Sequence, residues 1–130
     1  MIRREMRRKD RVLSELDAID ILNKVEYGVL STVSEDGSPY GVPINFVYVQ
    51  KHIYFHSALV GHKIDNILAH PQVSFTVVSD VHPLAEQFST KYKSVIVFGT
   101  VEEVDDTEKS AVFRYFLEKF SADFMDPGII

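Results

Sequence analysis

Five histidines, one Gly-His-Lys run and no cysteine are what this 130-residue chain offers to chemistry. Without cysteine there is no disulfide, no thiolate metal site and no thiol nucleophile, so any redox chemistry must be borrowed from a cofactor. Zinc is the first use to test for His52, His56, His62, His70 and His82. On a strand rising ~3.3 Å per residue, His52 and His56 stand ~13 Å apart, too far to share one ion without a bend. No HExxH spacing occurs, so no metal site is assigned. The G-x-S-x-G elbow and the G-x-x-x-x-G-K-[ST] loop are also absent, which argues against a serine hydrolase and a nucleotide hydrolase.

The segment from Ile53 to Lys63 is more promising, because it reads as a strand, a small loop and a helix start. Amides at the start of a helix have no partner within it and favour an anion. His62 and Lys63 in the first turn oppose the helix dipole unless an anion sits with them. Lys63 is the only Lys or Arg between Lys51 and Lys91. A phosphate at Gly61, His62 and Lys63 is the expectation, with a merely solvated pair as the alternative.

The surrounding elements must hold that point in place. Ser14 followed by Asp17 predicts a capped helix over 15–25, with Leu16, Ile19, Leu22 and Val25 as its apolar stripe. Tyr27–Ser34 reads as a strand, and Glu35-Asp36-Gly37-Ser38 as a hairpin turn. Tyr40–Gln50 alternates as a second strand, with Tyr40, Val42, Ile44, Phe46 and Tyr48 on one face. Pro43 cannot donate to a ladder, so an open edge or a bulge is expected there. After a Gln50-Lys51-His52 connection, Ile53–Ser57 is a third strand and His62–His70 a short helix. Val73–Ser79 and Ser94–Val104 are further strands, with Asp80–Lys93 between them as a long polar loop. Asp106–Phe120 is a closing helix with Val112, Phe113, Phe116, Leu117 and Phe120 on one side. Short connections and a majority of strands predict a mainly β fold with flanking helices, an antiparallel β-barrel in one domain. SVIVFG at 94–99 is apolar on both faces, so a helix or a second subunit must cover its outer side.

Charge is unevenly spread. Residues 1–11 carry six bases against Glu5 and Asp10, whereas the net charge of the whole chain is −5, leaving the body strongly acidic. An acidic body is a poor partner for phosphates, so no nucleic acid is expected, and the basic arm reads as solvated or laid on an acidic surface. No run reaches the ~18 apolar residues of a membrane span, and the basic start lacks the apolar core of a secretory signal, so no membrane is expected and a cytoplasmic location is the default expectation.

Taken together, ILNKVEYGVLSTVSEDGSPYGVPINFVY, IYFHSALVGHKIDNI, VSFTVVS and FSTKYKSVIVFGTVEEV resemble the FMN-binding split-barrel proteins related to pyridoxamine 5'-phosphate oxidase. Within them the chain is most similar to the nitroimidazole-resistance, nitroimidazole reductase-like group. The resemblance spans roughly residues 4–125 and implies an antiparallel split β-barrel of FMN-binding type. It implies that Pro43, Ile44, Asn45 and Phe46 line the isoalloxazine ring, partly through backbone groups. His56, Ser57 and Ala58 would follow the ribityl chain, and Gly61, His62 and Lys63 would hold the phosphate. The flavin would sit at a homodimer interface, with Tyr92, Ser94 and Val95 of the other subunit as second-chain contacts.

Two departures from the family pattern stand out. Pyridoxamine phosphate oxidases use arginines for the substrate phosphate, whereas Arg114 is the only Arg here after residue 11. The sequence ends at Asp126-Pro127-Gly128-Ile129-Ile130, where relatives continue into another strand. The resulting expectation is a flavoprotein reducing a small organic electron acceptor such as a nitro compound, distinct from a true pyridoxamine 5'-phosphate oxidase. No side chain reads as a catalytic acid or base. His56 is the best placed to tune a flavin or deliver a proton, with a structural hydrogen-bonding role as its alternative. The rival class is a binding module that holds flavin, haem or a deazaflavin without turnover.

Overall fold

Ser14 opens α1 (Glu15–Lys24) as its sequence implies, its Oγ accepting the Asp17 N–H at 3.1 Å. The computed structural model describes residues 12–57, 60–87 and 89–120. Ile21 and Leu22 are the buried face of α1, but Leu16 is 79% exposed. The reason is geometric. A spacing of three slips back by about 60° per step on a helix of 3.6 residues per turn, so Leu16 ends up opposite Val25.

The strands are β1 (Tyr27–Val33), β2 (Pro39–Asn45), β3 (Val47–Val49), β4 (His52–Tyr54), β5 (Gln72–Leu84) and β6 (Ser89–Thr100). They form an antiparallel four-stranded sheet in the order β2-β1-β5-β6 and a separate β3-β4 hairpin. The expected strand over Tyr40–Gln50 is therefore two strands. Phe46 breaks it, because its side chain is fully buried and the chain leaves the large sheet there for the hairpin. The hairpin turn is Gln50-Lys51 alone, both residues having positive φ (49° and 67°), so His52 belongs to β4 and that strand ends at Tyr54 rather than Ser57.

A larger correction concerns Asp80–Lys93. Most of it is not a loop but the outer part of the β5–β6 hairpin, closed by a 3-10 turn at Ala85–Gln87. A bulge between Ser79 and His82, with Asp80 at φ 54°, shifts the register where the arm leaves the body. The arm's described side chains are exposed, so its strands carry no burial alternation that a sequence reading could detect. Correspondingly, β6 starts at Ser89 and stops at Thr100 instead of running to Val104.

Residues in register across the sheet show its two faces. Val42, Leu30, Phe75 and Val97 form one row, and Pro43, Val29, Thr76 and Ile96 the next, facing the opposite way. The first row looks onto the core of Ile21, Leu22, Leu30, Phe46, Phe75 and Val77. Phe46 meets Phe75 edge to face, with centroids 4.8 Å apart, an arrangement aromatic rings favour. Close approach also demands a glycine: a Cβ on Gly28 would collide with the Phe75 ring and stand 2.8 Å from the Thr76 carbonyl oxygen.

Two helices complete the fold. α2 (His62–Ala69) packs on β1, and α3 (Asp106–Phe120) packs on β3. Asp105 caps α3 by accepting the Glu108 N–H at 2.9 Å and the Thr107 hydroxyl at 2.7 Å. The α3 stripe is only partly covered, with Phe113 46% exposed. No helix among the described residues is long and apolar enough to cross a membrane.

Candidate functional site

The start of α2 lies against the β1–β2 hairpin. Its cap is Gly61 at φ 138°, a left-handed backbone that favours glycine, a residue with no side chain of its own to cap the helix. The first amides of any helix have no partner within it, so this end offers donors to an anion. His62 leads the helix and meets the hairpin twice. Its Nε2 and Ser34 Oγ share a hydrogen bond at 3.1 Å, and its ring lies 4.0 Å from that of Tyr40. Lys63 follows, half-buried. In the turn beside them, the Ser38 N–H donates to Asp36 at 2.9 Å and holds that carboxyl below its usual value, with His62 acting in the same direction.

One turn further along α2, Asn66 is 3% exposed and donates from Nδ2 to Thr32 Oγ1 at 2.9 Å. The Thr32 hydroxyl in turn donates to the Tyr40 carbonyl at 3.3 Å. A buried polar chain thus joins α2 to β1 and β2. Among the described residues every buried side-chain nitrogen and oxygen has a partner, as burial away from water requires.

The ring-lining residues expected on β2 divide between its two faces. β2 is an edge strand, which accounts for Pro43: the missing donor sits where a sheet can spare one. Pro43 and Asn45 are exposed, and Asn45 Nδ2 is held by the Glu26 carbonyl at 3.1 Å. Ile44 points to the core. Phe46 has no exposed surface, so its side chain is closed to any ligand; its carbonyl accepts the Lys119 ammonium at 2.9 Å. His56 is exposed, edge-on to Phe116 with centroids 5.1 Å apart, and Ser57 is half-buried beside it in the chain. Ala58 lies outside the described residues.

Tyr92, Ser94 and Val95 are all on β6, at the opposite edge of the sheet from Pro43. Tyr92 is 58% exposed, whereas Val95 packs against the core of its own chain. With strands spaced ~4.8 Å apart, the β6 residues stand ~14 Å from β2 within one chain.

A separate cleft of 270 Å³ opens between α1, β3 and α3, and none of the expected site residues lines it. Lys119 does. Its ammonium sits 3.9 Å from the Phe46 ring centre, and burial pushes it down to about 8, with the Glu26 charge opposing. Among the described residues no group of three or more His, Asp or Glu side chains is placed to hold a metal ion.

An antiparallel sheet with a detached hairpin and a helix start braced on its edge is the arrangement of the split-barrel class of cofactor-binding domains, though the strands among the described residues do not close into a barrel. Residues 14–127 match the pyridoxamine 5'-phosphate oxidase family, and the chain belongs to it. Solved structures agree on the fold. A candidate 5-nitroimidazole antibiotic resistance protein from Bacteroides thetaiotaomicron matches with a TM-score of 0.76 at 23% identity, over 86% of this chain and 69% of that one. A FAD-binding protein from Mesorhizobium loti is 31% identical over 88% of this chain and 80% of that one, with a TM-score of 0.65. A haem storage protein from Vibrio cholerae is 21% identical over 82% and 75%, with a TM-score of 0.62. No curated protein sequence gives a significant match.

Asn66, Thr32, Ser34 and Tyr40 were not among the residues expected at this site. Tyr40 was legible only as one more residue on one face of an alternating strand. The pairing of Asn66 with Thr32 spans two elements and follows no period within either, so nothing local in the sequence signals it.

Proposed function

We propose that this chain is a homodimeric FMN-binding protein that passes electrons to a small organic acceptor, a nitro compound being the favoured class. The observation that carries the reading is the bracing of a glycine-capped helix start, with Lys63 in its first turn, against Tyr40 on the edge strand that also bears Pro43 and Asn45. Tyr40 and Pro43 are ~10 Å apart along the strand, the reach of a ribityl phosphate arm from its ring. The residues therefore fit a flavin that lies along the open edge of β2 with its phosphate at Gly61, His62 and Lys63.

When bound, the flavin supplies the electron transfer, and the chain binds and orients it. Asn45 is held by Glu26 and so presents a fixed polar side chain beside Pro43. The separation of β6 from β2 supports a second copy: Tyr92 and Ser94 reach a flavin on β2 only from a partner subunit. The Mesorhizobium loti relative supports flavin as the ligand, and the Bacteroides thetaiotaomicron relative supports the nitro acceptor. Haem is the second reading, favoured by the Vibrio cholerae relative and by the exposed His56.

The absorption spectrum of the purified protein separates the two, through flavin bands or a Soret band. Lys63→Ala then tests the phosphate site. A charge-assisted hydrogen bond contributes about 1.5–3 kcal/mol, so the variant is expected to weaken FMN roughly 10- to 150-fold and leave riboflavin nearly unchanged. Equal loss for both ligands, or none, overturns the assignment.

A further inference from the structure

We infer that Asn66 is a positioning residue for the ligand phosphate, acting through Thr32 rather than by touching the ligand; this rests on the flavin reading above. The start of α2 can serve a phosphate only if it stays at one distance and angle from the strand that carries the ring. Among the described residues two polar contacts tie it to β1 and the residue that follows it. The outer one, His62 with Ser34, joins exposed or half-exposed groups that water can replace. The inner one is dry: Asn66 is 3% and Thr32 2% exposed, and the hydroxyl of Thr32 both accepts from Asn66 and donates to the Tyr40 carbonyl.

That hydroxyl cannot shift without leaving the buried Asn66 amide unpaired, so it ties the helix at one point to β1, whose ladder with β2 is already in register. Asn66 lies one helical turn beyond His62 and Lys63, so its anchor keeps the helix from sliding or rolling on the sheet. An apolar contact would hold the helix down but leave its axial position soft, since dispersion has little directionality. The polar chain supplies the missing direction, which is what a phosphate site at the end of a helix needs and a core does not.

The readout is the ratio of riboflavin to FMN dissociation constants, because it reports the phosphate contribution and is insensitive to general loosening of the ring site. Thr32→Val is close to isosteric and keeps the core filled. It is expected to cut the ratio at least tenfold, as is Asn66→Leu, while Thr32→Ser, which retains the hydroxyl, is expected to keep it within about twofold. Riboflavin affinity should change little in all three, and circular dichroism at 10 °C confirms that each is folded. A wild-type ratio near one overturns the phosphate reading of the site, and the positioning role with it. A high wild-type ratio that Thr32→Val and Asn66→Leu leave intact overturns the positioning role alone. Equal losses for Thr32→Ser and Thr32→Val also overturn it, since shape rather than the hydrogen bond would then matter.

Discussion

The two faces of the four-stranded sheet draw on similar residues and meet different fates. The row Val42, Leu30, Phe75 and Val97 faces α1, α2 and Phe46, and its centre is dry, with Leu30 and Phe75 at 1% and 4% exposure. One residue along each strand, the row Pro43, Val29, Thr76 and Ile96 is far less covered among the described residues, with Val29 36% and Ile96 56% exposed. Folding thus needs only one apolar face. The apolar content of the other, including Tyr27 and Val78, is what an association surface requires and a solvated sheet does not.

The inner face should break hardest at its centre. Phe46→Ala removes the ring that Phe75 and Lys119 both meet, and chemical denaturation should show a loss of about 3–5 kcal/mol. Next is Gly28→Ala, where the new methyl must displace Phe75. The expected cost is about 1–3 kcal/mol, and Phe75→Leu in the same background should recover part of it. Lys119 gives a smaller and pH-dependent effect. Its pKa falls from 10.5 to about 8 on folding, so between those values the unfolded chain holds more protons and stability rises with pH. Partial exposure limits the gain to under about 1 kcal/mol. Melting temperatures from pH 8 to 10 should climb more in the wild type than in Lys119→Met.

The outer face should break quietly. Ile96→Lys is expected to change monomer stability by no more than about 0.5 kcal/mol. Sedimentation of the same variant should nevertheless fall to the 14.8 kDa monomer while the wild type sediments as twice that mass. A wild-type monomer would remove the contrast in purpose between the two faces.

Much of this architecture was readable in advance, for reasons tied to particular residues. Ser14 marked a helix start, and Asp106–Phe120 was bounded correctly. Gly37 marked the hairpin, and Pro43 an open edge or a bulge, of which the edge is what forms. Phe46 was placed mid-strand because it continues the alternation of β2 even as the backbone departs; the change of partner from β1 to β4 on either side of it is the break. The outer β5–β6 arm was hidden since strands exposed on both sides lose their hydrophobic period. The helix start after Gly61 was legible because strand, loop and helix adjoin in sequence. Asn66 was not, because its partner is 34 positions away.

The order of the strands also has a consequence in time. β1–β2 and β5–β6 are local hairpins that close over short turns, whereas the β1–β5 seam joins segments separated by roughly forty residues, at a loop entropy of about 3 kcal/mol. Contacts at that seam form late unless something favours them early, and Leu30 opposite Phe75 is its apolar centre. Docking of two preformed hairpins is then the slow step. Conservative trimming of either residue should lower the refolding rate, whereas equal damage near the tip of the β5–β6 arm should leave that rate unchanged.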